Sequence, residues 1–360
     1  MPIPGRPHAL TRRTVTTLLI ASSACWTSAE ARKRSKSPAA DDPRPYLLRD
    51  DAMRWADEVA ERRGLDAPWT RQAVGQAVFL RQVPRLMLPP ARGTAKNWRV
   101  YRSRFVEPLR IRAGVRFWQR NGDVLARAQA DYGVPPEIIV GIIGVETIYG
   151  QNMGSFRVID ALATLTFDFP PEHPRATERQ AYFSGELEQF LSLCQRTGMA
   201  PDTPLGSYAG AMGLPQFMPS SWVKYAIDFD SDGQIDLWGS EADAIGSVAS
   251  YFKGYGWQPD QPTHYPVQLS PEADLDALLA PDILPSFTPE RFEALGARLD
   301  ETGRAHAGPL ALIELQNGGA DPSFVAGTEN FYVITRYNWS SYYAMAVIEL
   351  GQAVADARGR

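Results

Sequence analysis

A single carboxylate, Glu146, sits inside the apolar run "IIVGIIGVETIYG" from Ile138 to Gly150. An unpaired charge in such a setting is costly, and burial pushes a carboxyl toward its neutral form. A carboxyl held protonated near neutral pH can donate a proton, as the general acid of glycoside cleavage does. At helical spacing Ile139, Ile142, Ile143 and Glu146 share one face, while Ile138, Val145 and Ile148 make the rest of the helix apolar. Glu146 then either lines a cleft or is the structural partner of a buried Arg or Tyr. Asp160 and Asp168 follow, but nothing marks either as a companion acid. A two-carboxylate glycosidase needs its pair at a fixed separation.

Two further stretches could do chemistry. "GSYAGAMGLPQFMPSSW", Gly206 to Trp222, is rich in small residues, which let a backbone approach a ligand closely. Ser207 and Gln216 supply hydrogen bonds there, and Met212, Phe217 and Trp222 supply apolar surface. The stretch reads as a sugar-binding wall or as a tight loop between packed helices. "DFDSDGQIDLWGSEAD", Asp228 to Asp243, opens with Asp228, Asp230 and Asp232 at positions 1, 3 and 5 and Gly233 at position 6, as an EF-hand loop does. Gln234 would ligate through its carbonyl and Asp236 through water; oxygen-only ligands favour calcium over zinc. Position 12 is Gly239, where a standard EF-hand has Glu.

The elements that must position these residues are mostly helices. Helical patterning covers Asp50 to about Leu80, Pro108 to Gly133, and the Glu146 segment opened by Pro135-Pro136. It returns in "YFSGELEQFLSLCQRTG", "PSSWVKYAIDF", "EADAIGSVASYFKGYG" and "SYYAMAVIELGQAVADA". "VPRLMLPPARGTAKNW" reads as a long connection. "HYPVQLS", "GPLALIELQN" and "FYVITRYN" read as short strands. The fold class is mainly α (α+β).

The N-terminus is addressing rather than fold. "RPHALTRRTVTTLLIASSACWTSAEA" has basic, apolar and small-residue parts in the order of an export signal, with an A-x-A site at Ala29–Ala31. Cys25 after "IASSA" offers a lipoprotein alternative, with outer-membrane anchoring, although Ser22 departs from that pattern. The expected place is the periplasm. Residues 32–45 are a charged, Pro-containing linker. With the signal removed, Cys194 is alone, so no disulfide framework is expected. A net charge of −4 argues against a polyanionic partner such as nucleic acid. No apolar run is long enough to span a bilayer.

Taken in order, "GVETIYGQNMGSFRVIDALATLTFDFP", "YFSGELEQFL", "GSYAGAMGLPQFMPSSW", "DAIGSVASYF" and "FYVITRYN" resemble the B-type membrane-bound lytic murein transglycosylases, from about Tyr101 to about Tyr343. The resemblance implies a lysozyme-like catalytic core over 101–258 and an additional helical domain including 46–100. It also implies a small β-containing insertion over 259–329 and a C-terminal return over 330–358. The implied reaction cleaves the β-1,4 bond between N-acetylmuramic acid and N-acetylglucosamine in peptidoglycan, with the C6 hydroxyl closing a 1,6-anhydro ring. Glu146 would act first as acid and then as base, with no organic cofactor; substrate assistance removes the need for a second carboxylate. A hydrolytic muramidase and a non-catalytic peptidoglycan-binding protein are the alternatives.

The same resemblance implies substrate-binding roles for Ser207, Gln216, Phe217, Tyr101, Tyr251, Tyr337, Asn338 and Tyr343. It implies that Arg179 meets the acidic peptide stem, although Glu178 stands where the family often has a second Arg. It implies a structural calcium ion whose loop is closed by a later acid, Asp243 or Glu241. The expected partners are glycan strands and their peptide stems, bound by a monomer.

Overall fold

The computed structural model describes residues 45–89 and 96–359. The export signal over 1–31 and the linker, apart from Pro45, lie outside the described residues. Among these, no helix is long and apolar enough to cross a membrane.

The chain is mainly helical with small antiparallel sheets, as its patterning predicts. The first helical stretch is two helices, α1 (Asp50–Arg63) and α2 (Ala67–Gln76). Gly64 ends α1 in the left-handed region at φ 66°, and Asp66 caps α2 by accepting the Trp69 N–H. The expected long connection contains a short helix, α3 (Gln82–Met87). Its Pro84 lies in the first turn, where a missing N–H is harmless. Next come α4 (Trp98–Arg102), α5 (Pro108–Arg120) and α6 (Gly122–Tyr132), with Gly133 as the C-cap at φ 72°. The Glu146 helix, α7 (Pro136–Thr147), follows, with Pro at its start.

Beyond it, β1 (Phe156–Arg157) pairs with β2 (Leu205–Gly206), flanking α8 (Val158–Phe167) and α9 (Ala176–Thr197). Cys194 on α9 is a free, buried thiol. Then come α10 (Pro219–Tyr225) and α11 (Glu241–Gly254), on either side of the acidic loop.

The β-containing part is a four-stranded antiparallel sheet in the order β4 (Ala297–Leu299), β3 (His264–Leu269), β6 (Ala320–Gly327), β5 (Ala311–Asn317). The short helices α12 (Leu275–Leu279), α13 (Pro289–Ala294) and α14 (Glu301–Arg304) accompany it. Tyr265, Leu278, Phe292, Leu299, Leu310 and Leu312 build a core there that is separate from the main one. The chain then returns through α15 (Glu329–Thr335) and α16 (Ser341–Arg358) to the large core.

"FYVITRYN", expected as a strand, is largely α15. Its apolar run satisfies either period, so the cap decides. Thr328 accepts the N–H groups of Asn330 and Phe331, which starts a helix.

The pairing of α7 with α16 matters most for the site. The two run antiparallel, backbone against backbone. A methyl group at Gly351 would fall 2.0 Å from the Glu137 carbonyl oxygen, and one at Gly141 would fall 2.3 Å from that of Val347. Only glycine permits this approach, which aligns the end of α7 with the start of α16.

Candidate active site

Glu146 ends up near the C-terminus of α7, half-buried, in a pocket it shares with Gln216, Phe217, Tyr251, Tyr337 and Asn338. Ala211, Met218 and Ser221 complete the lining, and Glu146 is the one carboxylate in it. Burial pushes the Glu146 carboxyl up to about 7. Two groups pull the other way. The Tyr343 hydroxyl donates to Oε1 at 2.5 Å, and the Arg110 guanidinium favours the charged form. Arg110 is buried on α5, over the Phe105 ring at 5.1 Å, and its Nε has no partner among the described residues. Nothing in the sequence marks Arg110, because one more Arg in an amphipathic helix looks like a solvated charge.

Asp160 and Asp168 are engaged elsewhere. Asp160 accepts from Arg157 and the Val78 N–H, and Asp168 from Arg49 and the Tyr46 hydroxyl.

The turn after α7 is backbone-strained. Ile148 and Tyr149 both have positive φ, 53° and 56°, in a region that β-branched and bulky residues avoid. Thr147 anchors it by donating to the Leu214 carbonyl at 2.9 Å, joining the acid's helix to the small-residue loop. Within that loop Gln216 is itself at φ 52°. Its Nε2 donates to the carbonyls of Met153 and Gly213 at 3.1 and 2.9 Å. Tyr337 donates to the Pro215 carbonyl at 2.6 Å and stacks on Tyr343 at 6.5 Å. Tyr251 packs against Tyr337 at 4.7 Å. Asn338 Oδ1 is buried without a partner among the described residues, an acceptor available to a ligand N–H.

Ser207 Oγ accepts the N–H groups of Ala209 and Ala211, bracing the turn from inside. Met212 is 0 % exposed and bridged by backbone bonds to Phe217. Phe217 is 1 % exposed and serves chiefly as pocket floor. Tyr101 packs on Phe105 and Tyr342 at 5.1 and 5.7 Å. Burial raises its hydroxyl pKa, and the nearby Glu146 charge adds to this. Arg179 lies over the rings of Tyr182 and Phe183, with a buried Nε that has no partner among the described residues.

The acidic loop brings ligand atoms of Asp228, Asp230 and Asp232 within 4.8 Å of one another, turned by Gly233 at φ 92°. The Gln234 N–H bonds Asp232 Oδ1 at 2.8 Å. Asp243 is buried, with its oxygens on the N–H groups of Phe229 and Asp236, and burial together with the Asp230 charge raises its carboxyl. A crowd of oxygen donors without nitrogen or sulfur suits a hard cation. Glu241 is engaged by Arg120 and Asn121, away from this cluster.

The transglycosylase SLT domain matches residues 49–352. The chain belongs to this family. It is 42% identical over 324 residues to membrane-bound lytic murein transglycosylase B of Escherichia coli (strain K12), covering 86% of this chain and 83% of that protein. The structure of the Escherichia coli lytic transglycosylase SLT35 in complex with calcium superposes with a TM-score of 0.75 at 40% identity, covering 88% of this chain and 96% of that one. SltB1 of Pseudomonas aeruginosa superposes at 0.79 and 39% identity, covering 87% and 100%. Glu146, the carboxylate of this pocket, lies on α7 within the matched region.

Proposed function

We propose that this enzyme is a peptidoglycan lytic transglycosylase that cuts the β-1,4 bond between N-acetylmuramic acid and N-acetylglucosamine. The observation that carries the reading is Glu146, the lone carboxylate of the pocket, raised to about 7 by burial and held by Tyr343. Near neutral pH it retains a proton to give. That proton passes to the glycosidic oxygen as the bond to C1 breaks. The resulting carboxylate takes the proton of the C6 hydroxyl as O6 bonds to C1, closing the anhydro ring. Glu146 ends protonated and no water is consumed. The substrate's own N-acetyl group stabilises the positive charge at C1, the role a second carboxylate would otherwise fill.

In this reading Gln216, Phe217, Tyr251, Tyr337 and Asn338 contact the sugars, Ser207 and Tyr101 shape the cleft around them, and Arg179 meets the peptide stem. Residues 101–258 and 330–358 form the catalytic core, with 46–100 and 259–329 as its helical and β-containing companions. Asp228, Asp230, Asp232, Asp243 and the Gln234 carbonyl hold a structural calcium ion. The enzyme acts in the periplasm as a monomer, either soluble or anchored through Cys25, as its N-terminal sequence suggests.

Mass spectrometry of digested cell wall tests the reaction. The expected fragments end in anhydro-muramic acid; fragments with only reducing ends would make the enzyme a hydrolase, and this reading would fall. Glu146→Gln should lower turnover by about 10²–10⁴-fold, the usual worth of a positioned proton-transfer group.

A further inference from the structure

The pocket wall continues outward along three elements, one step from a pocket-lining residue in each case. On α10, Ser221 is followed one turn later by Lys224 and Tyr225; on α11, Tyr251 is followed by Tyr255; before Tyr337 and Asn338 comes Arg336. These outer residues touch one another. The Arg336 guanidinium lies over the rings of Tyr255, Tyr332 and Trp339 at 5.5, 5.6 and 5.4 Å. Lys224 Nζ lies over Tyr225 and Tyr255 at 4.9 and 5.9 Å. The Arg336 carbonyl accepts the Tyr251 hydroxyl at 2.7 Å, fixing this rim to the pocket.

Two cations therefore converge on the Tyr255 ring, both exposed, in a protein of net charge −4. Among the described residues neither has a carboxylate within 4.0 Å. The acid behind this aromatic strip, Glu186, is buried and accepts from the N–H and hydroxyl of Ser220. Stacking on a ring stabilises one exposed Arg modestly. It does not account for a second cation brought to the same ring, which costs repulsion. A stacked guanidinium keeps its N–H edge free, and that edge matches a carboxylate in two parallel bonds. Of the Arg336 donors, one reaches the Tyr332 hydroxyl at 3.3 Å.

We propose that Arg336, backed by Lys224, is an anion-recognition site at the cleft rim that takes a carboxylate of the substrate's peptide stem. The proposal rests on the peptidoglycan reading above. It adds a specificity determinant beside Arg179, in a chain where Glu178, the neighbour of Arg179, carries the wrong charge and is paired with Arg175.

The test compares the full chain on two substrates: glycan strands bearing stems, and the same strands after an amidase has removed them. Arg336→Gln should lower kcat/KM on stem-bearing strands about ten-fold, mainly through KM, as loss of a charge-assisted bond does. The loss on stem-free strands should be several-fold smaller. Arg336→Lys, which keeps the charge without the planar fork, should fall between wild type and Gln. Lys224→Gln should show the same substrate bias more weakly. Equal losses on both substrates would mark Arg336 as a packing residue and overturn the proposal, as would no loss on either. A wild-type enzyme releasing no anhydro ends from either substrate would instead strike the underlying reading.

Discussion

Glu146 is governed by two opposed influences. Burial favours the neutral acid, while the Tyr343 hydroxyl and the Arg110 charge favour the carboxylate. Burial wins, yet the value stops at about 7 instead of rising to a range where the group could never act as a base. Tyr343→Phe removes one of the two opposing influences. The carboxyl should then hold its proton to higher pH, so the alkaline limb of the kcat profile should move upward. Maximal kcat should fall about ten-fold, because the acid loses the bond that orients it. A pH–rate profile reads both effects, and an alkaline limb that stays in place or moves down would contradict the assigned role. Glu146 itself was legible in the sequence, since a lone acid in an apolar run calls for explanation. Tyr343 was legible only through the family resemblance, as a sugar-binding residue; that its hydroxyl bonds Glu146 across 197 positions is a tertiary fact.

At the scale of elements, the site depends on two helices that approach closely at glycine positions. Gly351 faces the Glu137 carbonyl so closely that a methyl would sit 2.0 Å from it. Gly351→Ala must push α16 off α7, at about 1–3 kcal/mol for overpacking a tight contact. Because Glu146 is on α7 and Tyr343 is on α16, the separation should also stretch their hydrogen bond. The expected outcome is a lower Tm together with reduced kcat and little change in KM; full activity at a lower Tm would show that the two ends are not geometrically linked. Helix boundaries of this kind were readable where glycine or proline punctuates, as at Gly133 and Pro136. The α15 segment was not, because "FYVIT" satisfies a strand period and a helix period equally and the decision lies with Thr328 just before it. The α7–α16 approach was not readable either: the glycines are visible in the sequence, but which helix each one admits is a tertiary fact.

At the scale of the molecule, the acidic loop and the cleft share a support. The Leu214 N–H bonds the Leu237 carbonyl at 2.7 Å, and Gly213 passes so near that same carbonyl that a side chain would collide with it. The loop that gathers Asp228, Asp230 and Asp232 thus buttresses the turn that presents Gln216. Calcium should raise the Tm of the wild type, and an Asp228→Asn, Asp232→Asn variant should lose that increase; a wild-type Tm indifferent to calcium would remove the ion from the account. Composition and patterning foretold a mostly helical chain with a late β-containing part. That this part closes a core of its own, around Tyr265, Phe292 and Leu312, could not be read from alternation in short strands. Only the spatial order β4-β3-β6-β5 brings those side chains together.

The bond between Tyr343 and Glu146 also bears on timing. The acid is synthesised 197 residues before the group that orients it. Contacts this distant along a chain form late in folding. A partly synthesised chain therefore carries its proton donor without the hydroxyl that holds it in place. Full activity then requires the complete fold that joins the two residues.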